Sequence, residues 1–122
     1  MEFFDYIGET TKCEKKEKVE LSKPKSWLKT VSAFANTNGG AIIFGISDAN
    51  EFVGIEDSKG DSEKISDLIR TKMQPLPDVA LDIVEEAGKQ YIVLKIEAGE
   101  NTPYYVSDSG SLTAIQELGT RV

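Results

Sequence analysis

The apolar positions of this chain change their period at one point, Gly39-Gly40. Before it, Trp27, Leu28, Val31, Phe34 and Ala35 recur on one face of a helix, with Lys29, Thr30, Ser32 and Asn36 on the others. After it, Ala41 to Ile46 carries Ile42, Ile43 and Phe44 with no polar alternation, the pattern of a central strand covered on both faces. Asn38-Gly39-Gly40 supplies the stop between them, because glycine takes the left-handed conformation after a helix cap without a side-chain clash.

The other elements follow from the same patterns. Residues 1 to 8 hold Phe3, Phe4, Tyr6 and Ile7, apolar enough to dock on the domain's own core. Glu9 to Leu21 reads as a strand or extended arm on which Lys12, Glu14, Lys16 and Lys18 share a face, and so much charge belongs at a sheet edge or over a solvated groove. Ser22-Lys23-Pro24 starts the first helix, with Ser22 as its cap. Asp48 to Glu51 is a polar turn and Phe52 to Ile55 a short returning strand. Asp61 or Ser62 caps a second helix bearing Ile65, Leu68, Ile69, Lys72 and Met73, which Pro75 and Pro77 end. Val79 to Glu86 and Tyr91 to Ile96 flank Ala87-Gly88-Lys89-Gln90 as a hairpin, and Tyr104 to Val106 and Leu112 to Leu118 are short strands. The sum is an α+β domain, a mixed sheet of about five to six strands with two helices.

Composition narrows this further. The 122 residues suit a single domain, and the ends have no obvious tail, so a module cut from a longer protein is expected. No apolar run approaches ~20 residues, and the acidic N-terminus lacks the basic start of a secretory signal, which gives a cytoplasmic expectation with no membrane partner. Cys13 is the only cysteine and there is no histidine. That removes an intrachain disulfide, a Cys/His zinc site, a Ser-His-Asp triad and a Cys-His pair. Catalysis, if present, would rest on carboxylates, lysines or hydroxyls, with a hard metal held by oxygen.

The net charge of −7 opposes nucleic-acid binding as a whole-chain property. Its distribution does not. Seven lysines and three glutamates fall between Lys12 and Lys29, whereas the remainder holds 7 basic and 18 acidic residues.

Ser32-Ala-Phe-Ala-Asn-Thr-Asn-Gly-Gly40, the apolar strand, Gly45-Ile46-Ser47-Asp48 and Val53-Gly54-Ile55 together resemble the Schlafen AlbA-2 domain, also called the divergent AAA-type DNA-binding domain. The resemblance covers most of the chain and implies a small Alba-like architecture, contact with DNA or RNA, and membership of a bacterial regulator. It also implies a metal site. Schlafen-type ribonucleases carry two glutamates five residues apart before the first helix and an aspartate after the apolar strand, positions held here by Glu9, Glu14 and Asp48. Such carboxylates would bind Mg²⁺ or Mn²⁺ and activate water against a phosphodiester. A five-residue offset sets Glu9 and Glu14 on opposite faces of a regular strand, so a bend near Thr10 to Cys13 is required. Two departures stand out: Lys15 occupies a position usually aromatic, and Ile115-Gln116-Glu117-Leu118-Gly119 replaces a strand usually bearing arginine.

Three sites therefore compete. Some relatives carry an ATP-binding label, but Gly39-Gly40 follows a helix C-terminus, whose carbonyls repel phosphate, and no GxxxxGK[ST] loop exists. Lys12, Lys15, Lys16 and Lys18, with Lys23, Lys25 and Lys29 at the helix start, form a basic face for phosphate backbones; a solvated edge whose lysines block sheet pairing fits those residues equally. Tyr104-Tyr105 either stacks on bases or packs on the sheet. The leading function is a nucleic-acid-binding module. The alternatives are a metal-dependent endoribonuclease using Glu9, Glu14 and Asp48, and a protein-interaction or oligomerisation module, for instance a homodimer.

Overall fold

A computed structural model of the chain describes residues 12–107. The element order is β1 (Cys13–Lys16), α1 (Lys25–Ala35), β2 (Gly40–Phe44), α2 (Ser58–Lys72), β3 (Met73–Gln74), β4 (Val79–Glu86), β5 (Lys89–Ile96) and β6 (Tyr105–Val106). Four strands form one sheet in the order β1-β2-β5-β4, and β3 pairs with β6 in a second. The main sheet is mixed: β1 runs parallel to β2, while β5 runs antiparallel to both β2 and β4. The fold is α+β, as the patterning predicts.

β2 is the centre of the sheet because it is apolar on both faces. Its five residues are all buried, and their side chains alternate between two clusters. Ile42 and Phe44 join Ile92, Leu94 and Ile96 of β5 under the helices, where Trp27, Leu28, Val31 and Ala35 of α1 and Ile65 and Ile69 of α2 close the core. Ala41 and Ile43 join Tyr91 and Val93 on the opposite face, with Phe52 and Val84 packed against them. Two antiparallel or parallel neighbours and two covered faces leave β2 no solvated side, which is what its unbroken apolar run encodes.

The two glycines that end α1 serve different purposes. Gly39 has φ +82° and donates its N–H to the Phe34 carbonyl at 2.8 Å, closing the helix. Gly40 already belongs to β2 and lies beneath the Phe34 ring, with no room for a Cβ.

Several boundaries differ from the sequence expectation. No side chain caps α1: Pro24 stands at the N-cap, its carbonyl accepts from the Leu28 N–H at 2.8 Å, and Ser22 is exposed in the preceding turn. The second helix begins at Ser58, ahead of the expected Asp61 or Ser62, because Asp57 accepts the Gly60 N–H at 3.2 Å as the N-cap. Gly60 suggests a loop but belongs to the first turn, where a Cβ would collide with the Asp57 carboxylate. Phe52 to Ile55 is not a strand. Only an Ile46–Phe52 bridge forms, and positive φ at Gly45 (+115°) and Gly54 (+83°) bends the segment across the sheet end. The β4–β5 turn needs just Ala87 and Gly88, both at positive φ (+53° and +80°), so Lys89 and Gln90 lie in β5. The expected docking of residues 1–8 and the strand at Leu112 to Leu118 fall outside the described residues. Among the described residues no helix is long and apolar enough to cross a membrane.

Candidate nucleic-acid interface

β1 is the edge strand that a charge-rich segment calls for. Among the described residues of Glu9 to Leu21, Cys13 to Lys16 enter the ladder, opposite Ala41 to Phe44. Glu14 and Lys16 pair with Ile42 and Phe44, on the helix side; Cys13 and Lys15 pair with Ala41 and Ile43, on the other. Lys18 lies past the end of the strand.

Beyond β2 the chain turns tightly at Ser47 to Glu51. The Ser47 N–H donates to the Glu51 carbonyl at 2.9 Å, the Glu51 N–H donates to Ser47 Oγ at 3.0 Å, and Asn50 takes φ +64°. This turn holds Asp48 out in solvent beside β1, and the Lys15 ammonium donates across to Asn50 Oδ1, tying strand to turn. Because β1 and β2 are parallel neighbours, residues 35 positions apart in sequence meet at the same sheet end.

The result is an open cleft of about 460 Å³ lined by Glu14, Lys15, Lys16, Glu17, Lys18, Glu20 and Asp48. Lys15, Lys16 and Lys18 thus surround one concavity with Glu14 and Asp48. Lys12 is exposed just before β1, outside that lining, as are Lys23 before α1 and Lys25 and Lys29 on its first turns. Glu9, the remaining member of the carboxylate set, lies outside the described residues. Among the described residues no three His, Cys, Asp or Glu side chains gather closely enough to hold a metal ion. Four carboxylates face three ammonium groups in the cleft, so a polyanion there meets both attraction and repulsion.

Cys13, half-buried on β1 beside these lysines, has its thiol pushed above the ordinary value by burial, with Lys15 pulling it back. Its alkylation by iodoacetamide is expected to rise with pH along a curve displaced upward from that of a free thiol, and Lys15→Gln to displace it further. A midpoint at or below the free-thiol value would contradict this.

The tyrosine pair is divided. Tyr104 is buried, and its backbone is clamped by α1: its N–H donates to Asn36 Oδ1 at 2.7 Å, while Asn36 Nδ2 and Ser32 Oγ donate to its carbonyl at 2.9 and 2.8 Å. Tyr105 is 47% exposed. Ser32 and Asn36 look like solvent-side helix positions in the sequence; nothing in helical periodicity marks them as strand-like partners of a segment 68 residues away.

The model of the Schlafen, AlbA_2 family matches residues 9–117. The chain is similar to the solution structure of the N-terminal domain of a RecG-related protein from Nitrosomonas europaea, at 20% identity and a TM-score of 0.65, over 89% of this chain and 78% of that one. It is also similar to the crystal structure of the DIP2311 protein from Corynebacterium diphtheriae, at 23% identity and a TM-score of 0.58, over 81% of this chain but only 22% of that one. No curated protein matches.

Proposed function

The chain belongs to the Schlafen AlbA_2 family, and from that premise we propose that it is a nucleic-acid-binding module gripping phosphate backbones along the β1 edge. The observation that carries this reading is the grouping of Lys15, Lys16 and Lys18 around one open cleft, with Lys12 exposed beside them. Lysines on an edge strand offer mobile point charges to phosphates and no fixed pattern of donors for base edges, so binding is expected to be weak in sequence preference. The name of the Nitrosomonas protein, which relates it to the ATP-dependent DNA helicase RecG, is in keeping with this reading.

Labelled single-stranded RNA, tRNA and duplex DNA, titrated with the chain at several salt concentrations, test it. With four phosphate contacts, affinity for duplex DNA falls about a hundredfold between roughly 50 and 200 mM salt. Replacing Lys12, Lys15, Lys16 and Lys18 by Gln flattens that dependence and weakens binding alike for every sequence, with the far-UV spectrum unchanged. Affinity indifferent to the four replacements would remove the β1 edge from the interface.

A second reading is favoured by one observation, that Glu14 and Asp48 share the same cleft. It is the metal-dependent endoribonuclease, with Glu9, Glu14 and Asp48 as ligands of Mg²⁺ or Mn²⁺. Of these three ligands the described residues include two, Glu14 and Asp48, short of a complete oxygen set. The same titrations carried out with Mn²⁺ or EDTA decide it: metal-dependent RNA cleavage that Asp48→Ala abolishes supports the ribonuclease, and cleavage that survives Asp48→Ala excludes it.

A further inference from the structure

Two more concavities, of about 620 and 410 Å³, meet along the segment Val53 to Glu56. The first is bounded by the β4–β5 turn, the second by the chain leaving β1 and the start of α2. Val53 and Ile55 line both and Val19 lines the second, giving the floor an apolar strip, and Val53 is 45% exposed although it is a large hydrophobic residue between two clefts. This segment is held in place by its backbone: the Ile55 N–H donates to the Gln90 carbonyl at 2.7 Å, the Lys89 ammonium donates to the Phe52 carbonyl at 3.0 Å, and Gly54 at φ +83° leaves no slack above Lys89. The groove is therefore fixed by the fold rather than by mobile side chains.

Its walls are predominantly acidic. Glu17, Glu56, Asp57, Asp61 and Glu85 face two ammonium groups, those of Lys18 and Lys89, and the second is already engaged with Phe52. Burial and the neighbouring Asp57 raise the Asp61 carboxyl, with Lys64 opposing them, a tension that an incoming cation would relieve.

We propose that this groove docks an extended basic polypeptide segment, one in which lysine or arginine side chains flank an apolar residue. Charge complementarity selects the class. A nucleic-acid backbone would set its phosphates against five carboxylates. A metal ion alone would leave the Val19, Val53 and Ile55 floor in water, whereas a peptide covers that floor with its apolar residue and meets the walls with its cations. The groove borders the β1 cleft at Glu17 and Lys18 but rests on other observations, and it gives acidic residues of a −7 chain a role that nucleic-acid binding does not.

The test is fluorescence anisotropy of the 122-residue chain with labelled Lys-Arg-Leu-Lys-Arg, its Ser-for-Leu analogue and an acidic analogue of the same length. The Leu peptide is expected to bind, the Ser analogue more weakly and the acidic one not at all. The variant Glu56→Gln/Asp61→Asn/Glu85→Gln is expected to lose about tenfold in affinity. Val53→Ser lowers affinity for the Leu peptide alone, and neutralising the exposed Glu63, Glu97 and Glu100 instead has little effect. Equal binding of the Leu and Ser peptides, or an equal loss on neutralising Glu63, Glu97 and Glu100, would reduce the effect to the overall charge and overturn the proposal. No binding, or self-association by sedimentation that Val53→Ser abolishes, would overturn it as well, the latter by giving the groove to a second copy.

Discussion

Trp27→Ala is expected to lower the stability of the fold by about 3–5 kcal/mol, the range for deleting a large aromatic from a core. Trp27 has no exposed surface and meets Phe44 edge-on, with ring centroids 5.8 Å apart and planes at 86°. It thus joins α1 to the central strand, and its removal opens a cavity between the two elements that organise the rest of the sheet. Its indole N–H is buried with no hydrogen-bond partner among the described residues. The indole therefore contributes through area and shape, and Trp27→Phe, which keeps an aromatic and deletes the unpaired donor, is expected to cost far less. Urea unfolding followed by far-UV circular dichroism measures both. A Trp27→Phe loss as large as that of Trp27→Ala would show that the N–H is satisfied and that polar contact, not packing, fixes the helix. Because Trp27 is the only tryptophan in the chain, the unaltered protein also reports directly: its emission should lie to the blue when folded and shift to the red across the same transition.

The parts of the fold legible in the sequence are those in which burial is itself periodic. α1 buries Trp27, Leu28, Val31 and Ala35 on one side, and the three- and four-residue spacing of those residues exposes the helix directly. β2 is buried on both sides, and its unbroken apolar run says so. Legibility ends where one residue answers to another far away or to a backbone angle. Gly60 suggests a loop, yet it is the residue that leaves space for the Asp57 cap. Val53 and Ile55 have the composition of a strand, but the left-handed glycines at 45 and 54 turn them out of the sheet and into a groove floor.

The same division runs through the candidate sites. That a strand holding Glu14, Lys15 and Lys16 must sit at an edge is a matter of desolvation and can be read from charge alone. That Asp48 reaches the same cleft depends on the parallel pairing of β1 with β2 and on the turn locked by Ser47, neither of which has a local signature. The acidic groove was invisible for a further reason. Its acidic walls come from residues 17, 56, 57, 61 and 85, so only the topology, which carries the β4–β5 turn past the start of α2, brings like charges together beside an apolar strip.

Gly39→Ala is the substitution in the loops with the largest expected effect, about 2–4 kcal/mol, combining a left-handed penalty of ~1–2 kcal/mol with the displacement of fixed backbone. At φ +82° a Cβ would stand 2.7 Å from the Ile96 carbonyl oxygen and 3.1 Å from the Ala98 nitrogen. The first belongs to the last residue of β5 and the second lies two residues beyond it; Ile96 pairs with Gly40 on one side and Val79 on the other, so its carbonyl cannot move without loosening both ladders. Gly40→Ala meets a softer obstacle. Its nearest atoms, at 2.7 Å, are Cγ and Cδ2 of the half-buried Phe34 ring, a side chain rather than paired backbone, so a smaller loss is expected. Gly39→Asn separates the two causes at position 39, because asparagine tolerates the left-handed region yet still carries a Cβ. It should recover only part of the loss. Full recovery in Gly39→Asn would mean that the backbone angle alone demands glycine and that β5 yields to a side chain. Equal losses for Gly39→Ala and Gly40→Ala would mean that the Phe34 ring is as immovable as the sheet. In either case the paired glycines answer to the packing of a helix end against two strands, and a nucleotide added to the unfolding experiment should leave every one of these differences unchanged.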